Sequence, residues 1–129
     1  MGDFKKAIIG GIFATAVMSL LIIVSPFLGF QRISVWEIIA NVIKAPIIFG
    51  WVIHFLIGIF FALIYAFLLR KKIFGKIKIP AIKGMFFGFL IFIFAQIFAF
   101  LRSGLNLELL LGSFIGHIIY GFILGVIVR

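Results

Sequence analysis

The sequence predicts an all-α integral membrane protein, a four-helix bundle with a 2+2 parallel internal repeat and one short interfacial amphipathic helix. Three observations carry that expectation. Of 129 residues, 66% are hydrophobic and 12% charged, with nineteen phenylalanines and a mean hydropathy of +1.44; a soluble domain has about twice that share of charge. Four apolar runs reach the roughly 20 residues that cross a bilayer at about 1.5 Å rise each. Two of them, "GWVIHFLIGIFFA" at 50–62 and "SFIGHIIYGFILG" at 113–125, are built alike around the only two histidines, His54 and His117.

The whole chain, 1–129, reads as a single transmembrane domain. Its first span covers residues 7–27 and stops at "SPFLG", where Pro26 and Gly29 interrupt the helical pattern. Lys5 and Lys6 would suit the start of a signal peptide. The apolar stretch is longer than a typical signal core, however, and no small-x-small cleavage site follows, so a retained helix is expected. The second span, 46–69, has Pro46 at its first turn, where a missing N–H costs nothing. A basic loop at 70–83 leads into the third span, 80–101, and the fourth covers 107–128. Asn106 suits the N-cap of the last span, with Glu108 well placed in its first turn. None of the spans has an ionisable carboxylate, lysine or arginine in its central part.

One segment outside the spans has its own periodicity. In "ISVWEIIANVIK", Ser34 and Glu37 have capping-box spacing. Val35, Ile38, Ile39, Val42 and Ile43 then share a face at helical spacing, opposite Glu37, Asn41 and Lys44. About three turns are too short to span, so residues 34–44 predict a helix lying in the interface, with Trp36 at headgroup level. Docking of a partner helix on this surface is the alternative.

Charge orients the chain. Nine of the twelve basic residues fall on one side: Lys5, Lys6, Arg70, Lys71, Lys72, Lys76, Lys78, Lys83 and Arg129. The positive-inside rule then predicts a cytoplasmic (inner) membrane location, with the N-terminus, the C-terminus and the basic loop in the cytoplasm. A net charge of +9 in a soluble protein would raise nucleic acid as a partner. Here insertion topology and anionic headgroups account for it, and no nucleic-acid partner is expected. The loop "RKKIFGKIKIPAIK" reads first as a cytoplasmic anchor and second as a binder of phospholipid heads.

A shift of 63 residues carries Gly50, His54, Gly58 and Ala62 onto Ser113, His117, Gly121 and Gly125. Helices one and three align at a shift of 74, Gly10 onto Gly84 and Ala14 onto Gly88. The two halves are expected to be related by a pseudo-twofold axis along the membrane normal. Small residues four apart form a ridge that lets helix backbones approach within lipid, so Gly50, Gly58, Ala62, Ser113, Gly121 and Gly125 are expected to face protein. His54 and His117 both fall roughly 12–15 Å below the outer ends of their helices. Ser19 and Gln96 reach a similar depth, which predicts an interhelical polar layer of Ser19, His54, Gln96 and His117.

Hydrogen bonding between helices is the first reading of that layer, since two imidazoles and an amide can satisfy one another. The alternative is a b-type haem with His54 and His117 as axial ligands, flanking glycines making room for the porphyrin and Arg32, Lys44 or Arg102 meeting its propionates. No metal site is expected: zinc or copper needs three or four ligands, and there is no cysteine and no third histidine. Proton-coupled transport usually keeps a charge in the membrane, and enzymatic signatures such as a phosphate loop, HExxH or an acid pair are missing.

The pattern "GGIFATAVMS", then "GWVIHFLIGIFFALIYA", then "GHIIYGFILG" resembles small four-helix bacterial and archaeal membrane proteins of an uncharacterised family. The resemblance covers most of the chain and implies the architecture alone. The functional expectation is a non-catalytic accessory or structural subunit of a larger membrane complex, of electron-transfer (respiratory) type, held by lipid and by other membrane subunits or copies of itself. The bis-histidine haem protein is the alternative, and a small transporter or channel the third reading.

Overall fold

The computed structural model describes residues 1–32, 34–104 and 106–129. Helix α1 (Asp3–Val24) runs into a 3-10 turn at Ser25–Leu28, and the short α2 covers Val35–Ile43. Helix α3 (Ile47–Ile64) continues through a π-helical turn at Tyr65–Leu69 into α4 (Arg70–Lys72); α5 (Pro80–Ser103) and α6 (Leu107–Ile127) complete the chain. Four of these stretches, Asp3–Leu28, Ile47–Lys72, Pro80–Arg102 and Leu107–Ile127, are long and apolar enough to cross a membrane. The protein is a multi-pass, all-helical membrane bundle.

Local chemistry explains the helix ends. Gly29, in the left-handed region at φ 83°, lets the chain turn out of α1: its own N–H reaches the Pro26 carbonyl at 3.1 Å and the Phe30 N–H reaches Ser25. Asn106 caps α6, its side chain accepting the Leu109 N–H at 3.1 Å. At α2 the expected capping box does not form. Ser34 makes no side-chain cap bond, and Glu37 instead takes the Arg32 guanidinium at 2.8 Å, a charge-assisted contact stronger than one to a neutral amide.

Neighbouring spans run antiparallel, and two hairpins are closed by missing side chains. Between α1 and α3, a Cβ at Gly58 would overlap the Thr15 hydroxyl, and one at Gly11 would lie 2.8 Å from the Ile59 Cα. Between α5 and α6, a Cβ at Gly121 would overlap the Gly84 carbonyl, one at Gly125 the Pro80 carbonyl, and one at Gly88 the His117 carbonyl. The hairpins join where Gly10 of α1 faces Val128 and Leu124 at the end of α6. Phe61 and Tyr65 reach Phe87 across the α3–α5 side, with ring centroids 6.4 and 5.2 Å apart. A diagonal tie is made by the buried Tyr120 of α6, whose hydroxyl donates to the Gly58 carbonyl at 2.6 Å.

These contacts show the repeat in three dimensions and correct its register. Gly58 meets Gly11 and Thr15, while Gly121 meets Gly84 and Gly88. The α1-to-α5 shift is therefore 73 residues, one less than Gly10 and Ala14 implied. The adjacent Gly10 and Gly11 make either alignment legible in sequence. A step of about 100° around the helix decides which faces the hairpin partner, and Gly10 is turned to α6.

The amphipathic α2 lies against α3. A Cβ at Gly50 would overlap the Trp36 carbonyl and sit 3.1 Å from the Ala40 Cβ. Trp36 is buried in this contact, its ring stacked on that of Trp51 at 3.9 Å and 12°. Ile38, Val42 and Ile43 stay on the outer surface.

Gly121→Ala forces two backbones apart and is expected to cost about 1–3 kcal/mol. Gly116→Ala meets only the flexible Met18 side chain, at 3.4 Å, and gains helix propensity, so it is expected to be neutral or stabilising. Unfolding of the two variants in detergent reads the difference; equal stabilities would mean that the α5–α6 backbones do not touch as described.

Candidate functional site

The histidines stand on the small-residue ridges of α3 and α6, one turn from Gly58 and Gly121. His54 is buried and turned toward α1, where its Nε2 lies 3.2 Å from the Ser19 Oγ. Ser19 donates its own proton to the Thr15 carbonyl at 2.8 Å, so its oxygen accepts and the His54 hydrogen sits on Nε2. Trp36 of α2 covers the imidazole, with ring centroids 6.1 Å apart.

His117 is arranged differently. Its Nδ1 lies 2.7 Å from the Ser113 carbonyl on its own helix. A carbonyl cannot donate, so Nδ1 carries the hydrogen and Nε2 the lone pair. The same Nδ1 lies 3.2 Å from the Ser113 hydroxyl, which in turn receives the Gln96 amide of α5 at 2.9 Å. Ser19, His54, Gln96 and His117 thus occupy two groups, Thr15–Ser19–His54 on α1 and α3 and Gln96–Ser113–His117 on α5 and α6. No hydrogen bond is found between the groups among the described residues.

The repeat accounts for the asymmetry. Shifts of 63 and 73 carry His54 onto His117 and Ser19 onto Phe92, and Phe92 indeed flanks His117 with centroids 6.4 Å apart. Where the first half offers a hydroxyl, the second has a phenyl ring, and His117 bonds to its own helix instead. Gly50 and Ser113 diverge likewise: one seats α2, the other anchors a hydrogen-bond chain. Gly58, Ala62, Gly121 and Gly125 remain packing positions in both halves, Ala62 with its Cβ 3.0 Å from the position a Gly11 Cβ would take.

Haem does not fit these residues in this structure. The glycine faces that would admit a porphyrin are closed by neighbouring helices, Gly58 by Thr15 and Gly121 by Gly84. The His54 Nε2 points its hydrogen at Ser19, so ligation there would break that bond. Among the described residues there is no cluster of three or more His, Cys, Asp or Glu placed to hold a metal. Cavities lie toward the two ends of the bundle. One of about 340 Å³ is lined by Gln96, Phe100, Asn106 and Leu109 among others; another of about 270 Å³ lies at the end that carries the chain termini.

Two polar ties escaped the sequence analysis. Tyr120 bridges α6 to α3 from the middle of an oily run, and a tyrosine in such a run is itself a signal of a buried partner. Arg70, counted there among loop cations, is buried. Its Nη2 donates to Asp3 at 2.7 Å and its Nη1 to the Val128 carbonyl. Asp3 is the one acidic residue on the basic side of the chain, which marked it as a partner for a cation without saying which.

Two separate polar groups make a thermodynamic prediction. Ser19→Ala is expected to cost about 0.6 kcal/mol and at most about 2, with Gln96→Ala similar. Their double variant is expected to be additive within about 0.5 kcal/mol. A coupling above about 1 kcal/mol in detergent unfolding would mean that all four residues act as one network.

No curated protein and no solved structure matches the chain. A family model does, over residues 1–129, and so takes in both helical hairpins, with α2 in the connection of the first. The chain belongs to that family, a family of unknown function, DUF6789.

Proposed function

We propose that the protein is a non-catalytic accessory subunit of a larger membrane complex. The supporting observation is how the bundle spends its polar groups. The serines and histidines of the spans bond within their own hairpins, and the small-residue ridges close helix against helix. What remains outside is bulky and apolar, with Phe13, Leu20, Phe60 and Phe98 each more than half exposed. Such an exterior suits lipid and the flanks of other membrane subunits. Bonded imidazoles and closed ridges favour a scaffold over a carrier, which needs polar groups free to meet its cargo.

The membrane we propose is the cytoplasmic one, with both termini inside. Lys6 reaches the Arg129 carbonyl at 3.3 Å and Arg70 reaches Asp3, so the termini and the basic segment share one physical end, the end the positive-inside rule retains in the cytoplasm.

Purification from native membranes in mild detergent, with mass spectrometry of what stays bound, tests the role. A stoichiometric set of other membrane subunits is expected; emergence alone, or only with copies of itself, rejects it. The chain has no cysteine, which makes orientation simple to read. Lys76→Cys is expected to resist a membrane-impermeant maleimide in intact cells and to label after permeabilisation, with Gly104→Cys labelling in intact cells. The reverse pattern would invert the topology.

A further inference from the structure

The cavity at the terminal end of the bundle is lined by Tyr65, Arg70, Lys71, Pro80, Lys83 and Arg129. Four cations line it, Arg70 and Lys71 of α4, Lys83 in the first turn of α5, and Arg129. Asp3 is the opposing charge, and it engages one side of Arg70, so Lys71, Lys83 and Arg129 supply the surplus. Tyr65 is fully buried in the wall, and its hydroxyl has no hydrogen-bond partner. A buried hydroxyl without a partner is costly and needs an explanation, which a ligand in the cavity would supply; Thr15, whose Oγ1 is the other such group among the described residues, lines neither cavity. Tyr65 opens the π-helical turn, and such turns are frequent at functional sites. The N-terminus of α5 also borders the cavity at Pro80 and has no side-chain cap, leaving first-turn amides and the positive dipole end for an anion.

We propose that this cavity binds a phosphate group, with Lys71, Lys83 and Arg129 supplying charge and the Tyr65 hydroxyl a directed donor. Arg70 holds the cavity's shape through Asp3 and the Val128 carbonyl. The phosphate belongs to an anionic phospholipid headgroup or to a soluble phosphate compound. The position at the end of four apolar spans favours the headgroup, since basic pockets between membrane helices take such groups. This site is independent of the accessory role: it would exist in a subunit or in a protein acting alone.

Native mass spectrometry of the purified full-length chain tests it, with phosphatidylglycerol, phosphatidylcholine of the same acyl chains, and inorganic phosphate as probes. One phosphatidylglycerol is expected to be retained in preference to phosphatidylcholine. Lys71→Gln/Lys83→Gln is expected to weaken it by roughly tenfold or more, and Tyr65→Phe by about fivefold to tenfold. Tyr65→Phe removes only an unpartnered hydroxyl, so the thermal stability of the lipid-free protein should not fall. Lys76→Gln/Lys78→Gln, equal in charge but outside the cavity, should change binding little. Retention of inorganic phosphate without lipid preference, lost in the same cavity variants, would support the site and assign it to a soluble phosphate compound. Equal losses from the two lysine pairs, equal retention of the two lipids with no phosphate binding, or unchanged binding by Tyr65→Phe would overturn the proposal.

Discussion

Within lipid, helices gain little from burying apolar surface against one another, because the surrounding acyl chains are as apolar as leucine. Association then depends on how closely backbones approach, and in this chain that approach occurs at Gly11 with Gly58 and at Gly84 with Gly121. The rest of the structure follows from these two crossings. They bring Ser19 within reach of His54 and Gln96 within reach of Ser113. A separate bond, from the Tyr120 hydroxyl to the Gly58 carbonyl, ties one hairpin to the other. A methyl group at either crossing would separate the backbones of that hairpin and lengthen the side-chain bonds that span it.

Repetition of a hairpin explains why the two halves share a packing scheme, and divergence explains why they share little else. Gly11 and Gly58 in one half, and Gly84 and Gly121 in the other, stand where the backbones come closest. Two turns away the halves differ. Gly50 admits the backbone of α2 beside Trp36, whereas Ser113, its counterpart, organises Gln96 and His117. The short α2 therefore belongs to one half and makes the bundle asymmetric at that end. Trp36 stacked on Trp51 adds aromatic contact to the docking.

The two ends of the bundle differ in chemistry. At the terminal end, Tyr65, Leu124 and Val128 are essentially inaccessible, and the buried Arg70 donates to Asp3 and to the Val128 carbonyl. A cation this deep requires its partners, since removing them would leave an uncompensated charge. The exposed Arg32–Glu37 pair near the other end is of a different kind: both side chains are more than 40% exposed, and such pairs contribute little.

Composition, run length and the spacing of small residues determined the membrane class, the four spans, the position of α2 and the ridges that pack, because these depend on residue type and helical period alone. Asn106 announced its cap for the same reason. The histidines were legible as polar residues at matching depths, but their partners were not. Which neighbour a side chain meets depends on helix rotation and crossing, so the sequence could not separate Gly10 from Gly11 as the crossing residue, nor see the polar layer divide into two groups. Arg70 and Tyr65 were hidden more deeply. A basic residue after an apolar run reads as the beginning of a loop; only the tertiary structure carries the helix on through a π-helical turn and folds Arg70 under the bundle. That turn depends on what packs around it, and no local pattern of residues encodes the packing.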